Sequence, residues 1–321
     1  MSISRRDLLK GAAVAGAAAS LPVVAEARHT HEVEEDAVGM LFDATKCVGC
    51  RACQSACKVS NNLPPDKVEA NGGVYDAPQD LNGSTKNIIK AFVDGDQHAY
   101  MKQQCMHCVD PSCVSVCMMG ALHKEGHGKR DLFKHEDRPY AEVKGTGIVI
   151  YDRGLCVGCR YCQIGCAFNV PKFQWDDPIP LIVKCELCNH RREPEKKKGT
   201  AYAVANPACC EVCPAQAVIY GTRKELLAIA KARQAADAKK YNPHIYGETE
   251  GGGTQVLYLA PAGVNFKQLG LPELPAKSSG AFSEGVSHAP YLYGITPIAL
   301  YAGLAFVIKK NSDKEAHGEG K

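Results

Sequence analysis

Cys47-Val48-Gly49-Cys50-Arg51-Ala52-Cys53-Gln54-Ser55-Ala56-Cys57 spaces four cysteines as C-x2-C-x2-C-x3-C. Cys156-Val157-Gly158-Cys159-Arg160-Tyr161-Cys162-Gln163-Ile164-Gly165-Cys166 repeats the same spacing. Two further groups are variants of it. Cys105, Cys108, Cys113 and Cys117 widen the middle gap to four residues, and Cys185, Cys188, Cys209 and Cys213 widen it to twenty. Every group closes on a C-x3-C pair. The 17 cysteines in 321 residues therefore resolve as four groups of four with one left over. Cys209 and Cys210 compete for one place. The C-x3-C spacing selects Cys209 and leaves Cys210 as a small buried hydrophobe, with an exchange of their roles as the alternative.

The spacing has a chemical reason. A [4Fe–4S] cube needs four thiolates converging from different directions, and cysteines three apart in a tight loop present three of them. The fourth, one helical turn further on, points away from that loop, and in two-cluster ferredoxins it ligates the other cube. Proline commonly follows that fourth cysteine. Here Pro214 follows Cys213, whereas Lys58, Met118 and Ala167 follow the other three. Zinc sites use C-x2-C pairs, but a tetrahedral ion has no use for a repeated C-x2-C-x2-C run. Cysteines so close in sequence also rarely reach disulfide geometry.

Composition narrows the class. Hydrophobic content of 45% and charge of 23% describe a globular chain. A net charge of +3 argues against nucleic acid as a partner. Arg5-Arg6, the Gly/Ala-rich stretch from Gly11 to Val24 and Ala25-Glu26-Ala27 read as a twin-arginine (Tat) export signal over residues 1–27. Ala289 to Ile308 carries no charge and is followed by Lys309-Lys310. That pattern predicts a transmembrane helix over 289–308 with a cytoplasmic tail at 309–321. The expected location is the periplasmic face of a bacterial inner membrane, held by that single C-terminal span.

Short apolar strand candidates flank the motifs at Met40–Phe42, Ala99–Lys102, Gly147–Tyr151, Leu181–Val183 and Val218–Tyr220. Val59–His98 and Lys124–Thr146 read as surface loops. Thr222 with Glu225 forms a capping box opening a helix to about Lys240. Gly251-Gly252-Gly253 turns into a strand over Thr254–Ala260 and lacks the Lys-Ser/Thr of a phosphate loop. Pro261–His288 reads as a linker. The predicted class is α+β, in which the order strand, cysteine loop, short helix, strand resembles the bacterial two-cluster ferredoxin unit used twice, with loop insertions and the C-terminal transmembrane helix.

Taken together, the motif order, the Tat signal and the long spacer in group four resemble the four-cluster electron-transfer subunits of formate dehydrogenases, dimethyl sulfoxide reductases and related respiratory complexes. Gly39-Met40-Leu41-Phe42-Asp43, Gln104 through Pro111, Lys184-Cys185-Glu186-Leu187-Cys188-Asn189, and Tyr246-Gly247-Glu248 through Leu257 resemble most the HybA-type iron–sulfur subunits of membrane-bound [NiFe] hydrogenases. The resemblance implies four [4Fe–4S] clusters. It assigns Cys47, Cys50, Cys53 and Cys213 to cluster 1, and Cys105, Cys108, Cys113 and Cys166 to cluster 2. Cluster 3 takes Cys117, Cys156, Cys159 and Cys162, and cluster 4 takes Cys57, Cys185, Cys188 and Cys209. Unit A then comprises 38–98 with 180–222, unit B comprises 99–179, and 223–288 adds a helix, a strand and the linker.

The implied role is that of a wire, with no catalytic residue. Electrons pass from the hydrogenase large and small subunits to an integral membrane quinone-reducing subunit, or serve a formate, sulfur-compound or cytochrome-linked complex instead. A catalytic iron–sulfur enzyme would need a cluster short of one cysteine, which the motifs do not show. Arg51, Arg160, Lys58 and Lys184 lie beside ligands, where charge and hydrogen bonds tune potentials unless they are solvated surface groups. His107 stands between two ligands and reads as a packing or hydrogen-bonding group. Lys196-Lys197-Lys198 reads as a solvated loop, and His29 and His31 are weak metal-site candidates.

Overall fold

The computed structural model describes residues 33, 37–66, 78–95, 97–125, 146–191, 206–283 and 295–318. The Tat segment, His29, His31, residues 126–145 and Lys196–Lys198 lie outside the described residues. The chain divides into one unit running Thr30–Gly280 and another that includes the C-terminal helix.

The larger unit is organised on β1 (Val38–Asp43), all of whose residues are buried. A strand covered on both faces needs a continuous apolar run rather than alternation, and Val38-Gly39-Met40-Leu41-Phe42 supplies it. β1 pairs antiparallel with β8 (Val218–Thr222), Met40 opposite Tyr220, and parallel with β9 (Val256–Leu259), Leu41 opposite Leu257. Gly39 is required by close approach, since a Cβ there would sit 1.9 Å from the Gln255 carbonyl oxygen. Successive β1 side chains serve opposite faces. Met40 and Phe42 enter the main core, while Leu41 joins Leu226, Ala230, Leu257 and Leu259 beneath α5 (Arg223–Ala236). The Thr222–Glu225 capping box opens α5, which ends at Ala236, short of Lys240.

The motifs sit between short elements. α1 (Ala52–Ser60) follows the first cysteine loop, and the hairpin β2 (Ile88–Asp94) and β3 (Gln97–Gln103) leads into the second. β2 corrects the reading of Val59–His98 as loop throughout. Ile88 and Ile89 are buried against the main core, although Asn, Gly and Asp residues around them mask the strand in sequence. Next come α2 (Ser112–Ser115), the pair β4 (Leu122–Lys124) and β5 (Val149–Tyr151), and α3 (Tyr161–Ile164). The pair β6 (Lys172–Phe173) and β7 (Ile182–Val183) and then α4 (Ala208–Glu211) complete the series.

Two C-terminal expectations change. Much of the supposed linker belongs to the body. Val264, Phe266, Leu269 and Leu271 pack into the main core, and the Tyr246 hydroxyl donates to the Pro272 carbonyl at 2.6 Å. Secondly, the transmembrane helix is not supported: among the described residues, no helix is long and apolar enough to cross a membrane. α6 (Ile295–Gly318) starts inside the expected span and continues through Lys309, Lys310 and Asp313. Its uncharged part, Ile295 to Ile308, rises only about 21 Å at 1.5 Å per residue, against a hydrocarbon core of about 30 Å. Residues 289–294 lie outside the described residues.

Asp43 joins the end of β1 to the first motif. Its fully buried carboxylate accepts from Thr45 N (3.0 Å) and Oγ1 (2.6 Å), from Arg233 (2.9 Å) and from the Tyr241 hydroxyl (3.1 Å). Asp43→Ala strands a buried guanidinium contact and is expected to cost about 3 kcal/mol. Thr222→Ala, which removes only the cap, is expected to cost about 1 kcal/mol. Melting temperatures of the two variants should fall in that order.

Candidate metal centres

The cysteine loops are shaped by left-handed backbone. Gly49 (φ 69°) and Arg51 (φ 61°) in the first motif match Gly158 (φ 70°) and Arg160 (φ 67°) in the third. His107 (φ 46°) lies in the second, and Leu187 (φ 48°) and Cys188 (φ 51°) lie in the fourth. Non-glycine residues seldom adopt this region. Alternation between the two hands turns successive N–H groups into a concavity suited to anions and iron–sulfur sites. After the closing cysteine a second left-handed residue ends the turn: Gly120, Asn169 and Gln216 donate their N–H to the carbonyls of Cys117, Cys166 and Cys213 at 3.0, 3.0 and 3.2 Å. That turn forms with or without proline, which explains why Met118 and Ala167 can follow their cysteines. After Cys57, α1 simply continues to Ser60.

The fold gathers cysteines from distant motifs. Cys47, Cys50, Cys53 and Cys213 line one partly open cavity of about 340 Å³, solvent space included, with Phe42, Ile89 and Pro214 among its walls. Cys57, Cys185, Cys188 and Cys209 line another partly open one of about 300 Å³, solvent space included, with Met40, Asn87 and Leu187. Cys113 lies within electrostatic reach of Cys105, Cys166 and Cys108, and Cys162 within reach of Cys117, Cys156 and Cys159. All 17 cysteines are free of disulfides. Among the described residues, no three His, Cys, Asp or Glu side chains close tightly enough to hold a single metal ion. A [4Fe–4S] cube spreads its ligands over four irons and does not need three side chains on one ion.

Burial dominates the thiol chemistry. It pushes Cys53 up to about 12, Cys57 up to about 11 and Cys162 up to about 12, with neighbouring thiolates adding repulsion. Cys108, Cys113 and Cys185 are raised further for the same reason. Thiols gathered and desolvated in this way become thiolates only if a cationic centre compensates them. Cys209 goes the other way: the side-chain hydrogen bond from Cys210 draws it down, and that bond pushes Cys210 up. N–H groups also point at sulfur, from Leu122 to Cys117 (3.5 Å), Ala217 to Cys213 (3.3 Å) and Leu187 to Cys185 (3.4 Å).

His107 gives an independent test of fit. Its Nδ1 accepts from Val149 N at 3.0 Å. Burial, with Lys184 and Lys124 nearby, holds the ring well below its usual pKa and therefore neutral. The proton then sits on Nε2, which is buried and has no partner among the described residues. Such a donor between Cys105 and Cys108 suits an acceptor supplied by a bound group, such as a cluster sulfide. These residues fit [4Fe–4S] clusters.

The basic residues singled out in sequence divide. Lys184 is buried and donates to the Val149 and Cys185 carbonyls. Lys58 is buried but pairs with Asp66 at 2.7 Å. Arg51 binds the Gln54 amide oxygen at 3.0 Å, and Arg160 is exposed, 4.2 Å over the Trp175 ring. Sequence reading missed Lys102 and Lys124, both fully buried among the thiols, and Asn87, which hydrogen-bonds Cys57. A lysine in a strand reads as a solvated face, and no local pattern marks these as inward.

Family comparison agrees with this chemistry. Residues 97–223 match the 4Fe-4S dicluster domain, residues 38–59 the 4Fe-4S binding domain, and residues 2–22 the twin-arginine translocation signal. The hydrogenase-2 operon protein HybA of Escherichia coli O157:H7 is 38% identical over 99% of this chain and 98% of its own length. The nitrate-inducible formate dehydrogenase iron-sulfur subunit of Escherichia coli K12 is 33% identical over 69% of this chain and 67% of its own. The formate dehydrogenase-O iron-sulfur subunit is 31% identical over 86% and 81%. The chain thus belongs to the family of 4Fe-4S proteins that holds hydrogenase-2 operon protein HybA and the iron–sulfur subunits of formate dehydrogenases.

Proposed function

We propose that this chain is the electron-transfer subunit of an exported hydrogenase complex, carrying four [4Fe–4S] clusters between a hydrogenase small subunit and a membrane quinone-reducing subunit. Bound [4Fe–4S] cubes supply one-electron storage; the chain positions, insulates and electrostatically tunes them. Cluster 1 takes Cys47, Cys50, Cys53 and Cys213, and cluster 4 takes Cys57, Cys185, Cys188 and Cys209, both in a ferredoxin-like unit formed by 38–98 and 180–222. Cluster 2 takes Cys105, Cys108, Cys113 and Cys166, and cluster 3 takes Cys117, Cys156, Cys159 and Cys162, in a unit formed by 99–179.

The observation that carries this reading is how the cysteine sets abut. Cys53 lies within electrostatic reach of Cys209, and Cys185 within reach of Cys105. Cys113 lies in α2 and Cys117 follows four residues on, just past the end of that helix. On the assignment above, these neighbours support the order 1–4–2–3. The ends of that row carry the two exposed cysteines, Cys50 and Cys159, as a conductor needs at its two contacts. No motif is short of a cysteine that would leave an iron open to a substrate. The Tat signal fits the same reading, because that route exports folded proteins with cofactors already in place.

Gentle solubilisation and purification should bring down nickel-containing hydrogenase subunits with the chain; recovery of a molybdenum subunit in their place would assign it to a formate dehydrogenase-like complex. Iron and acid-labile sulfide should each approach about sixteen per chain, and a value near eight would reject four cubes. Cys210→Ala should leave that content unchanged, whereas Cys209→Ala should lower it by about four irons, one cube. The reverse pattern would exchange the roles of the two residues.

A further inference from the structure

Lys102, near the end of β3, is 1% exposed and forms no ion pair with a carboxylate among the described residues. Among the described residues its ammonium has one hydrogen-bond acceptor, the Gln104 amide oxygen. Gln104 is itself fixed, its Nε2 donating to the Met40 sulfur at 3.1 Å. An ammonium carries three N–H donors, so two remain. The other buried lysines show what satisfaction looks like. Lys124 spends three donors on the Cys108 and Gly147 carbonyls and the Gln255 amide oxygen, each at 2.8 Å. Lys184 reaches two backbone carbonyls.

The groups acting on the Lys102 ammonium are Cys209, Cys53 and Cys185, followed by Tyr258. Tyr258 spends its hydroxyl proton on the Lys102 carbonyl at 2.7 Å. Cys53 lines one cysteine cavity, and Cys185 and Cys209 line the other. A buried cation without a carboxylate is strongly disfavoured unless another anion compensates it. The groups within its reach that become anions on binding a cluster are cysteines of two different sets, and Gln104, its hydrogen-bond partner, lines the cavity of Cys185 and Cys209.

We propose that Lys102 is the shared counter-cation of two neighbouring clusters, seated between the set containing Cys53 and the set containing Cys185 and Cys209, where its charge raises both reduction potentials. The inference rests on the cluster assignment above. Reduction adds one electron to a cube and neither makes nor breaks a bond. Lys102 keeps its proton throughout, and its fixed positive charge favours the more negative, reduced state. One lysine between two clusters thus raises both potentials together.

The test is an EPR-monitored redox titration of the full chain, comparing wild type with Lys102→Met, Lys102→Gln and Lys102→Arg. With iron content retained, the neutral variants should move two of the four midpoints downward. The expected shift is at least tenfold in the reduced-to-oxidised ratio at fixed potential, about 59 mV for one electron. Lys102→Arg should restore them. Unmoved midpoints in a fully loaded neutral variant would overturn the proposal, as would an arginine variant displaced as far as the methionine one. Loss of iron in both neutral variants with full loading of Lys102→Arg supports the charge role, and loss in all three overturns it. Wild-type iron well below about sixteen would overturn the cluster assignment, and the inference with it.

Discussion

Gathering thiols out of water is the constraint on which the rest of this structure depends. Each cysteine brought into a desolvated set becomes harder to ionise, and each thiolate formed repels its neighbours. Cys113 shows both effects, raised first by burial and then by Cys105, Cys166 and Cys108. The chain meets this with left-handed turns that aim N–H groups inward, with buried lysines, and with residues ready to take cluster iron. The left-handed backbone of Arg51 and Arg160 and the neutral ring of His107 serve that arrangement.

The framework works by reuse. Every C-x3-C pair sets its first cysteine on a short helix and its second four residues further along the chain. Only α1 lengthens to nine residues, while α2, α3 and α4 stop after about one turn. The central sheet then ties the ends of the chain together. β1 precedes the first motif, β8 follows the fourth, and β9 arrives from the C-terminal part to lie on the other side of β1. Asp43, Arg233 and Tyr241 close that junction beside the first cysteine loop.

Spacing made the cysteine chemistry readable because ligand geometry is local. In the first and third motifs loop, turn and helix lie within eleven residues of one another, and the physics that fixes them is in the motif. The strands around β1 were readable as apolar runs, and the Thr222–Glu225 box as a cap. What escaped was non-local. β2 was hidden because Ile88 and Ile89 gain their burial from β3 and the core. The Pro/Gly-rich tail was hidden because Val264, Phe266 and Leu271 pack across the body. Lys102 and Lys124 gave no signal because their partners come from distant motifs. The C-terminal helix was misjudged for a related reason: an uncharged window was counted without knowing where the helix would begin.

Iron anomalous diffraction from the intact, cluster-loaded protein tests the central claim most directly. The account predicts four separate iron centres in a row, with Cys50 and Cys159 at its two ends and the sets containing Cys185 and Cys105 adjacent in the middle. Fewer centres, or a single centre shared by Cys47, Cys50, Cys53 and Cys57, would contradict it.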